Sequence, residues 1–256
     1  MGSLTISPIN AFSDNYIWLI SDGSKAFVVD PGDAEPVLEA LAQAKLELSG
    51  VLITHHHFDH TGGLSELKRA TACKTWGPVD SPAGNYDHML QEGDVAEVLG
   101  VEFSVLEVPG HTLDHIAFYS ASEAALFCGD TLFVGGCGRV FEGDPPQMRR
   151  SLEKLRCLPA KTRIFCAHEY TLANLHFARQ VDPDNQQLKA FLDDCEDRRR
   201  ANLPTVPSLL EGECEYNPFL RWDSPSVLKT LTQVGRLQGS TYDAIFTAVR
   251  KWKNEA

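Results

Sequence analysis

The stretch THHHFDH, residues 54–60, is the most informative part of this chain. It follows the apolar, strand-like residues 51–53 and precedes a pair of glycines at 62 and 63. Its form T-H-x-H-x-D-H places three imidazoles and one carboxylate within six residues. Burying such groups at the end of a strand costs free energy unless each has a bonding partner. A metal ion is a partner that suits these donors. The pattern therefore predicts a metallohydrolase.

Three further candidate ligands each follow a strand-like run. They are His111 in the segment PGHT, Asp130 in GDT and His168 in AHEY. Loops at the ends of strands are where a rigid scaffold presents functional groups. With the stretch at 54–60, the chain offers five histidines and two aspartates. Seven ligands are too many for one tetrahedral ion and suit two, with water or hydroxide in the remaining positions.

Within the stretch itself, the side chains are expected to divide between the two ions. Alternate side chains of an extended segment share one face, so His55, His57 and Asp59 should converge. His60 can then turn toward a second ion. The donors are nitrogen and oxygen only, which admits zinc, iron or manganese. The complete predicted ligand set is His55, His57, Asp59, His60, His111, Asp130 and His168.

The remaining histidines are more simply explained as ordinary surface or core residues. A single histidine is more often structural than a ligand, and only the clustering of the others changes that balance. His115 is a candidate to support a ligand from behind. The other three are His56, His88 and His176, and Phe58 is most simply a packing residue.

The composition is that of an ordinary globular protein of 256 residues, with 43% hydrophobic and 23% charged residues. A net charge of -12 disfavours nucleic acid as a partner, because acidic groups repel phosphates. No apolar run approaches the roughly 18 residues of a membrane span, and the N-terminus lacks the features of a signal peptide. Seven cysteines without a C-x-x-C pair indicate reduced thiols. A cytoplasmic monomer without membrane or nucleic-acid partners is therefore expected.

The hydrophobic pattern predicts an α+β protein, because strand-like and helical runs are mixed along the first two thirds of the chain. A hairpin is expected around Asp22. A helix over residues 145–158 should begin with Asp144 as its N-cap and Pro145 at its first position. Further strands are expected at residues 101–108, 116–120, 124–128 and 163–166.

After about residue 175 the pattern shows helices only, including residues 184–201 and 241–253. In the last of these helices Tyr242, Ile245, Phe246 and Val249 fall on one face. The change in pattern predicts two domains. A catalytic domain is expected over residues 1–174 and a small helical domain over residues 175–256.

The motifs resemble those of the metallo-β-lactamase superfamily. The resemblance rests on T-H-x-H-x-D-H with a later P-G-H-T, a G-D and an isolated His. It implies an αββα sandwich, two sheets flanked by helices, with the metal ions at one edge. The ligands that it implies are His55, His57 and His111 for the first ion and Asp59, His60 and His168 for the second, with Asp130 bridging the two.

Within that superfamily the chain resembles the hydroxyacylglutathione hydrolases, the glyoxalase II family, over nearly its whole length. The segments GGCGR at 135–139 and HEYT at 168–171 carry this narrower resemblance, with DNY, DPG, FEG and NPFLR as further matches. The family implies hydrolysis of S-2-hydroxyacylglutathione, chiefly S-lactoylglutathione, to glutathione and a 2-hydroxy acid such as D-lactate. The helical domain would then bind substrate. Tyr170 matches a substrate-contacting tyrosine of the family, and Phe141 is expected to pack on the substrate. The candidate cationic partners of the glutathione carboxylates are Arg139, Arg250 and Lys253. For Arg250 and Lys253 the alternative is a solvated helix end that complements the helix dipole.

Two positions depart from the pattern of the family. Phe141 stands where some members carry tyrosine, so packing of the ring is expected there without a hydroxyl contact. Asp114 replaces the second glycine of the usual P-G-H-T-x-G-H. If that position needs φ > 0, aspartate tolerates it better than most residues.

The ligand set suits thioester hydrolysis by metal-bound hydroxide. Two cations about 3.5–4 Å apart lower the pKa of a bridging water toward about 7. The hydroxide would attack the thioester carbonyl while a metal ion stabilises the developing charge. The leaving thiolate has a free pKa of about 8.5 and needs no strong general acid. The predicted catalytic carboxylates are Asp130, as the bridging ligand, and Asp59, which also orients the hydroxide.

Three other functions stay open at this point. A β-lactamase is disfavoured, because enzymes of that function often place cysteine in the second metal site, whereas this chain has Asp130 at the bridging position. A tRNA-processing nuclease shares nearly the same ligands, but the acidic charge and the C-terminal segments count against it. A metal-loaded binding or regulatory protein without turnover would be marked by bound metal without hydrolysis, and the sequence offers no missing ligand to support it.

Overall fold

The computed structural model describes residues 4–84 and 86–256, and the chain divides into two compact units. Unit 1 comprises Met1–Glu107 and Asp114–Gly129, and unit 2 comprises Val108–Leu113 and Asp130–Ala256. These units reflect compactness, so the functional division after residue 174 stays a prediction. The N-terminus is expected to lack a signal peptide, and its first three residues lie outside the described residues.

The first sheet of unit 1 has its strands in chain order. They are β1 Thr5–Ala11, β2 Asn15–Ser21, β3 Lys25–Val29, β4 Glu47–Leu52, β5 Lys74–Pro78 and β6 His88–Leu90. Strands β1 to β3 are antiparallel, and the predicted hairpin around Asp22 joins β2 to β3. From β3 to β6 the neighbours are parallel, which requires crossover connections. The helices in these connections are α1 Glu35–Ala44, α2 Phe58–Thr61 and α3 Leu64–Thr71.

Parallel pairing brings the carboxyl ends of β3 and β4 together. Val29 lies beside Leu52 in the register, and the backbone N of Asp30 donates to Leu52 O at 2.9 Å. Asp30 and Thr54 therefore leave the sheet side by side. The stretch THHHFDH begins at this edge, on a backbone that the buried strand β4 holds in place.

The second sheet of unit 1 is an antiparallel meander of β7 Val95–Val98, β8 Val101–Glu107, β9 Ile116–Ser120 and β10 Ala125–Gly129. Strand β8 alternates, with Phe103 and Val105 buried and the intervening residues exposed. This is the pattern of a sheet with one face in solvent. Strand β10 is buried along its whole length, and the chain runs directly from it into Asp130.

Unit 2 contains two short strand pairs and a series of helices. Strands β11 Leu132–Phe133 and β12 Gly136–Cys137 pair with each other, as do β13 Arg163–Cys166 and β14 Ser208–Leu209. Strand β14 corrects the prediction that only helices follow residue 175, because two residues show no periodicity that a sequence could reveal. The helices are α4 Pro145–Arg156, α5 Thr171–Val181, α6 Gln186–Arg200, α7 Leu210–Tyr216, α8 Pro225–Gln233 and α9 Tyr242–Glu255, with a 3₁₀ turn at Pro218–Leu220.

Local sequence signals set the start of helix α4. The side chain of Asp144 accepts from the backbone N of Gln147 at 2.7 Å, and Pro145 is the first helical residue, as predicted. In helix α9 the predicted apolar face is buried at Ile245, Phe246 and Val249. Tyr242, in the first turn of that helix, is exposed.

All seven cysteines are free, which agrees with the expectation of reduced thiols. Burial raises the pKa of Cys166 and of Cys195 to about 12, so these two thiols stay protonated at neutral pH. Among the described residues, no helix combines the length and apolar character that a membrane span requires.

Candidate metal centre

Unit 1 carries His55, His57, Asp59 and His60, the first ligand group, between β4 and α3. His55 Nε2 lies 3.2 Å from His57 Nδ1, and Asp59 Oδ2 lies 3.4 Å from His60 Nε2. The expectation of an extended segment is wrong from Phe58 onward, because the backbone turns into α2 there. The ring centroids of His55 and His60 are 4.1 Å apart, so the four side chains still form one cluster.

Buried oxygen atoms hold the ring nitrogens on the far side of this cluster. Asp30 Oδ2 lies 3.0 Å from His60 Nδ1, and Thr54 Oγ1 lies 3.1 Å from His55 Nδ1. Asp30 in turn accepts from Thr54 N at 2.8 Å and from Thr54 Oγ1 at 2.7 Å. Metal-binding histidines are commonly held in this way through the second ring nitrogen, which fixes the tautomer and the orientation of the ring.

Two further side chains of unit 1 support the first ligand group. Asn15 Nδ2 donates to Asp59 Oδ2 at 3.0 Å. His115 stacks on His55 with centroids 4.5 Å apart, which agrees with its expected role behind a ligand. The orienting residues that sequence analysis missed are Asn15, Asp30 and Thr54. The available signal was that each is a polar residue at the beginning or end of a strand, in or beside a segment that matches the family.

Unit 2 carries His111, Asp130 and His168, the second ligand group, and all three are buried. Asp130 Oδ2 lies 3.4 Å from His111 Nε2, and Asp130 Oδ1 lies 3.4 Å from His168 Nε2. The two oxygens of one carboxylate thus face two different imidazoles. This arrangement suits a carboxylate that bridges two ions, each with one of the histidines among its ligands.

The separations between these donor atoms fit shared metal ions. Donors about 2.0–2.1 Å from a tetrahedral zinc ion lie about 3.3–3.4 Å from one another. The three carboxylate–imidazole separations are all 3.4 Å, and the separation between His55 and His57 is 3.2 Å. A charge-assisted hydrogen bond between nitrogen and oxygen is shorter, at about 2.7–2.9 Å. Both the spacing and the chemistry of the donors therefore fit metal ions.

The backbone at residues 134–139, called the 134–139 segment, supports the second ligand group. His111 Nδ1 donates to Arg139 O at 2.7 Å, so that Nε2 of the same ring faces Asp130. A Cβ at Gly138 would lie 1.9 Å from Asp130 O. Only glycine therefore allows the segment to pass this close to the carboxylate residue.

Three predicted substrate-binding residues lie against the second ligand group. The Tyr170 ring stacks on His168 at 4.6 Å between centroids, and the Phe141 ring meets His111 edge-on at 5.3 Å. The guanidinium of Arg139 lies 5.4 Å from the centroid of Phe141. Tyr170 and Phe141 keep 38% and 60% of their surface exposed, which leaves both rings accessible to a ligand.

Arg250 and Lys253, the two residues of α9 that were predicted to bind substrate, donate hydrogen bonds to backbone carbonyls of unit 2. Arg250 is buried, and its Nη1 donates to Cys137 O at 3.0 Å, which anchors the 134–139 segment. Lys253 Nζ donates to Ala173 O at 3.1 Å. Burial and the neighbouring charge of Arg250 lower the pKa of Lys253. A contact of either cation with substrate stays a prediction.

Asp114, which replaces the usual glycine, forms a partly buried hydrogen-bond network in unit 1. Its carboxylate accepts from Ser81 Oγ at 2.9 Å and lies 2.9 Å from His56 Nδ1. Asp114 is not among the described residues with positive φ, so its backbone does not need a glycine. The network holds His56, the residue between the ligands His55 and His57.

Comparison with known proteins identifies the family. Residues 169–256 match the family described as Hydroxyacylglutathione hydrolase C-terminus, and residues 12–168 match the Metallo-beta-lactamase superfamily. The chain is 48% identical over 254 residues to the Hydroxyacylglutathione hydrolase of Chromohalobacter salexigens, with 98% of this chain and 99% of that relative covered. The chain belongs to the hydroxyacylglutathione hydrolase family. The resemblance carried by GGCGR and HEYT is thereby confirmed.

Solved structures agree with the fold expected of a hydroxyacylglutathione hydrolase. The BLEG-1 B3 metallo-beta-lactamase has a TM-score of 0.64 at 22% identity, over 85% of this chain and 99% of that one. TTHA1623, crystallised in a di-iron-bound form, has a TM-score of 0.56 at 29% identity, over 63% of this chain and 91% of that one. With the superfamily match, they confirm the predicted α+β class, a metallo-β-lactamase fold followed by a helical C-terminal part.

Proposed function

We propose that this protein hydrolyses S-2-hydroxyacylglutathione thioesters, chiefly S-lactoylglutathione, to glutathione and a 2-hydroxy acid such as D-lactate. Membership of the family supports the reaction, because the relative from Chromohalobacter salexigens is named for it. The observation that carries the proposal is the carboxylate of Asp130. Its two oxygens face two imidazoles at 3.4 Å each, as a ligand shared by two ions would.

The proposed ligands are those that the family implies. The first ion would take His55, His57 and His111, the second would take Asp59, His60 and His168, and Asp130 would bridge them. We propose zinc as the metal, because imidazole and carboxylate ligands suit it. Iron is the leading alternative, since the relative TTHA1623 was crystallised in a di-iron-bound form. Manganese is compatible with the same donors.

The chain's own groups prepare these ligands for hydrolysis. When bound, two divalent cations polarise the thioester carbonyl and lower the pKa of a shared water toward about 7. An oxygen atom lies against Nδ1 of each of three histidines: Asp30 beside His60, Thr54 beside His55 and the carbonyl of Arg139 beside His111. These oxygens favour a proton on Nδ1, which leaves each Nε2 unprotonated. Asn15 donates to Asp59 Oδ2 and holds this carboxyl group in place, where it can orient the attacking water. The glutathione thiolate leaves without a strong general acid, since its free pKa is about 8.5.

Substrate recognition is assigned to aromatic and cationic side chains of unit 2. Tyr170 and Phe141 present accessible rings beside the second ligand group, where the acyl and cysteinyl parts of the thioester would lie. The carboxylates of glutathione need cationic partners, which this acidic chain must supply locally. Arg139, Arg250 and Lys253 are the proposed partners.

Steady-state hydrolysis of S-lactoylglutathione tests the proposal. Loss of thioester absorbance is followed before chelation, after chelation and after return of the metal. We expect turnover that chelation abolishes and metal restores. His57→Ala should lose metal and nearly all activity. His176→Ala, which removes an exposed histidine of α5, is the matched control and should retain both.

The outcomes separate the alternatives. A protein that contains two metal ions per chain but does not hydrolyse the thioester would contradict the proposed function. Turnover of structured RNA by that protein would favour the tRNA-processing nuclease instead. We also propose that the enzyme works in the cytoplasm as a monomer, which size-exclusion chromatography with light scattering and cell fractionation can check.

A further inference from the structure

Glu213 is a fully buried carboxyl group of α7 that belongs to neither ligand group. Its Oε2 accepts from the backbone N of Gly135 at 2.9 Å and from Asn217 Nδ2 at 2.9 Å. Its Oε1 accepts from the hydroxyl of Tyr216 at 3.1 Å. These three groups are donors, and the hydroxyl of Ser208, a fourth partner, can donate as well, so a carboxylate satisfies them without a proton of its own. Burial nevertheless raises the pKa of Glu213, which shows that keeping an acidic group here is costly.

The bond to Gly135 is one of several that fix the backbone of the 134–139 segment. Asn217 Nδ2 also donates to Gly136 O at 3.0 Å, and Asn174 Nδ2 donates to Val134 O at 3.2 Å. Gly135 has φ +65°, in the left-handed region that favours glycine. A turn of this kind, buried in the protein, needs an acceptor aimed at its N–H, and the carboxylate of α7 provides it.

The 134–139 segment carries two groups that thioester hydrolysis needs. The carbonyl of Arg139 accepts from His111 Nδ1 at 2.7 Å and so directs Nε2 of that ring toward Asp130. The side chain of Arg139 lies beside Phe141. A displacement of the segment would therefore move a metal ligand and a proposed substrate-binding cation at the same time.

We propose that Glu213 is a positioning residue, which holds the N–H of Gly135 and thereby fixes His111 for metal binding and Arg139 for substrate binding. The expected effect of Glu213 on turnover rests on the proposed function. The expected effects of Glu213 on the 134–139 segment and on metal retention do not rest on the proposed function. A buried carboxyl group that merely stabilised the core would affect neither of these more than another core residue does.

Hydrogen exchange of the peptide that contains the 134–139 segment, measured by mass spectrometry, tests the contact directly. Glu213→Asp keeps the charge but withdraws the carboxylate from Gly135. In Glu213→Gln an amide oxygen replaces Oε2, and the amide NH₂ faces the Tyr216 hydroxyl, which can accept. Tyr216→Phe is the matched control, because it removes a bond to the other oxygen. We expect exchange to rise about 10–100-fold in Glu213→Asp and to stay within about twofold of wild type in the other two variants.

Metal retention and kinetics distinguish positioning from a general loss of stability. Glu213→Asp should release metal at about tenfold lower chelator concentration. It should also raise KM for S-lactoylglutathione more than it lowers kcat, because Arg139 is displaced. Tyr216→Phe and Glu213→Gln should match wild type in both. If Glu213→Asp does not fold, Glu213→Met fills the same space without an acceptor and takes its place, with the same expectations.

Two results would overturn the proposal. One is a hydrogen-exchange rate of the 134–139 segment that equals the wild-type rate in Glu213→Asp, or in Glu213→Met if that variant takes its place. The other is an equal loss of metal in that variant and in Tyr216→Phe at equal thermal stability. A wild-type protein that binds two metal ions without hydrolysing the thioester would contradict the proposed function alone, since exchange and metal retention still decide the role of Glu213.

Discussion

Replacement of Asp30 by asparagine should weaken one metal site without disturbing the backbone of unit 1. Asp30 has φ +55°, a region that asparagine tolerates well. The amide oxygen can accept from Thr54 N in place of Oδ1, but the NH₂ group then replaces the oxygen that faces His60 Nδ1. Two N–H donors would oppose each other. The conflict favours the tautomer of His60 with its proton on Nε2, and that nitrogen cannot bind a metal ion.

The size of the effect follows from this contact. His60 Nδ1 lies 3.0 Å from the ionised carboxylate of Asp30, and interactions of a polar N–H with a charged acceptor contribute about 1.5–3 kcal/mol. Since about 1.4 kcal/mol corresponds to a factor of ten, the affinity for the ion that His60 binds should fall about 10–100-fold. Loss of the partner behind a metal-binding histidine has an effect of this size. The ion assigned to His55 should be affected less, because the change reaches that ring only through the Thr54 hydroxyl, which also donates to Oδ2 of Asp30 and loses this acceptor.

Metal content per chain, measured by inductively coupled plasma mass spectrometry after equilibration with graded chelator, provides the assay. The control is Asp87→Asn. Asp87 also accepts from the backbone N and the hydroxyl of one threonine, Thr75, but its other hydrogen bond comes from Lys68. We expect Asp30→Asn to release one ion early and Asp87→Asn to follow wild type. Retention of both ions by Asp30→Asn at wild-type chelator concentrations would refute the reasoning, as would equal loss in the control.

Three further predictions concern residues outside the ligand groups. Asp114→Gly restores the residue usual in the family but removes the bonds to His56 and Ser81, so urea unfolding should show about 1–3 kcal/mol less stability with unchanged metal content. The pKa of Glu213 is raised above its ordinary 4.5 in the folded state, so the free energy of unfolding of wild type should fall relative to Glu213→Gln as the pH rises from about 4.5 to 7; parallel pH profiles would contradict this. Lys253→Gln should raise KM for S-lactoylglutathione with little change in kcat. Because the pKa of Lys253 is lowered, this side chain loses its charge at a lower pH than an ordinary lysine does. The KM of wild type should therefore begin to rise at pH values below the ordinary lysine pKa of about 10.4. A variant KM equal to that of wild type would exclude Lys253 from substrate binding.

Secondary structure was predictable where its signals are local. The start of α4 follows from Asp144 and Pro145, and strands β9 and β13 coincide with the predicted residues 116–120 and 163–166. Two elements were not predictable. Strand β14 has only two residues, and its pairing partner is decided by tertiary contact. The turn at Phe58 places Asp59 on a helix, although the spacing of the motif reads equally well as an extended segment.

The amino-acid sequence by itself determined the family and the chemical types of the ligands, because imidazoles and carboxylates at the ends of strands form a pattern that survives without coordinates. Only the tertiary structure decided how those ligands are oriented. Which ring nitrogen faces inward depends on acceptors from distant parts of the chain, such as Asp30 behind His60 and Arg139 O behind His111. The role of Glu213 depends in the same way on a bond to Gly135, 78 residues away. A hydrogen bond depends on distance and direction in space, and neither is encoded in the spacing of residues along the chain.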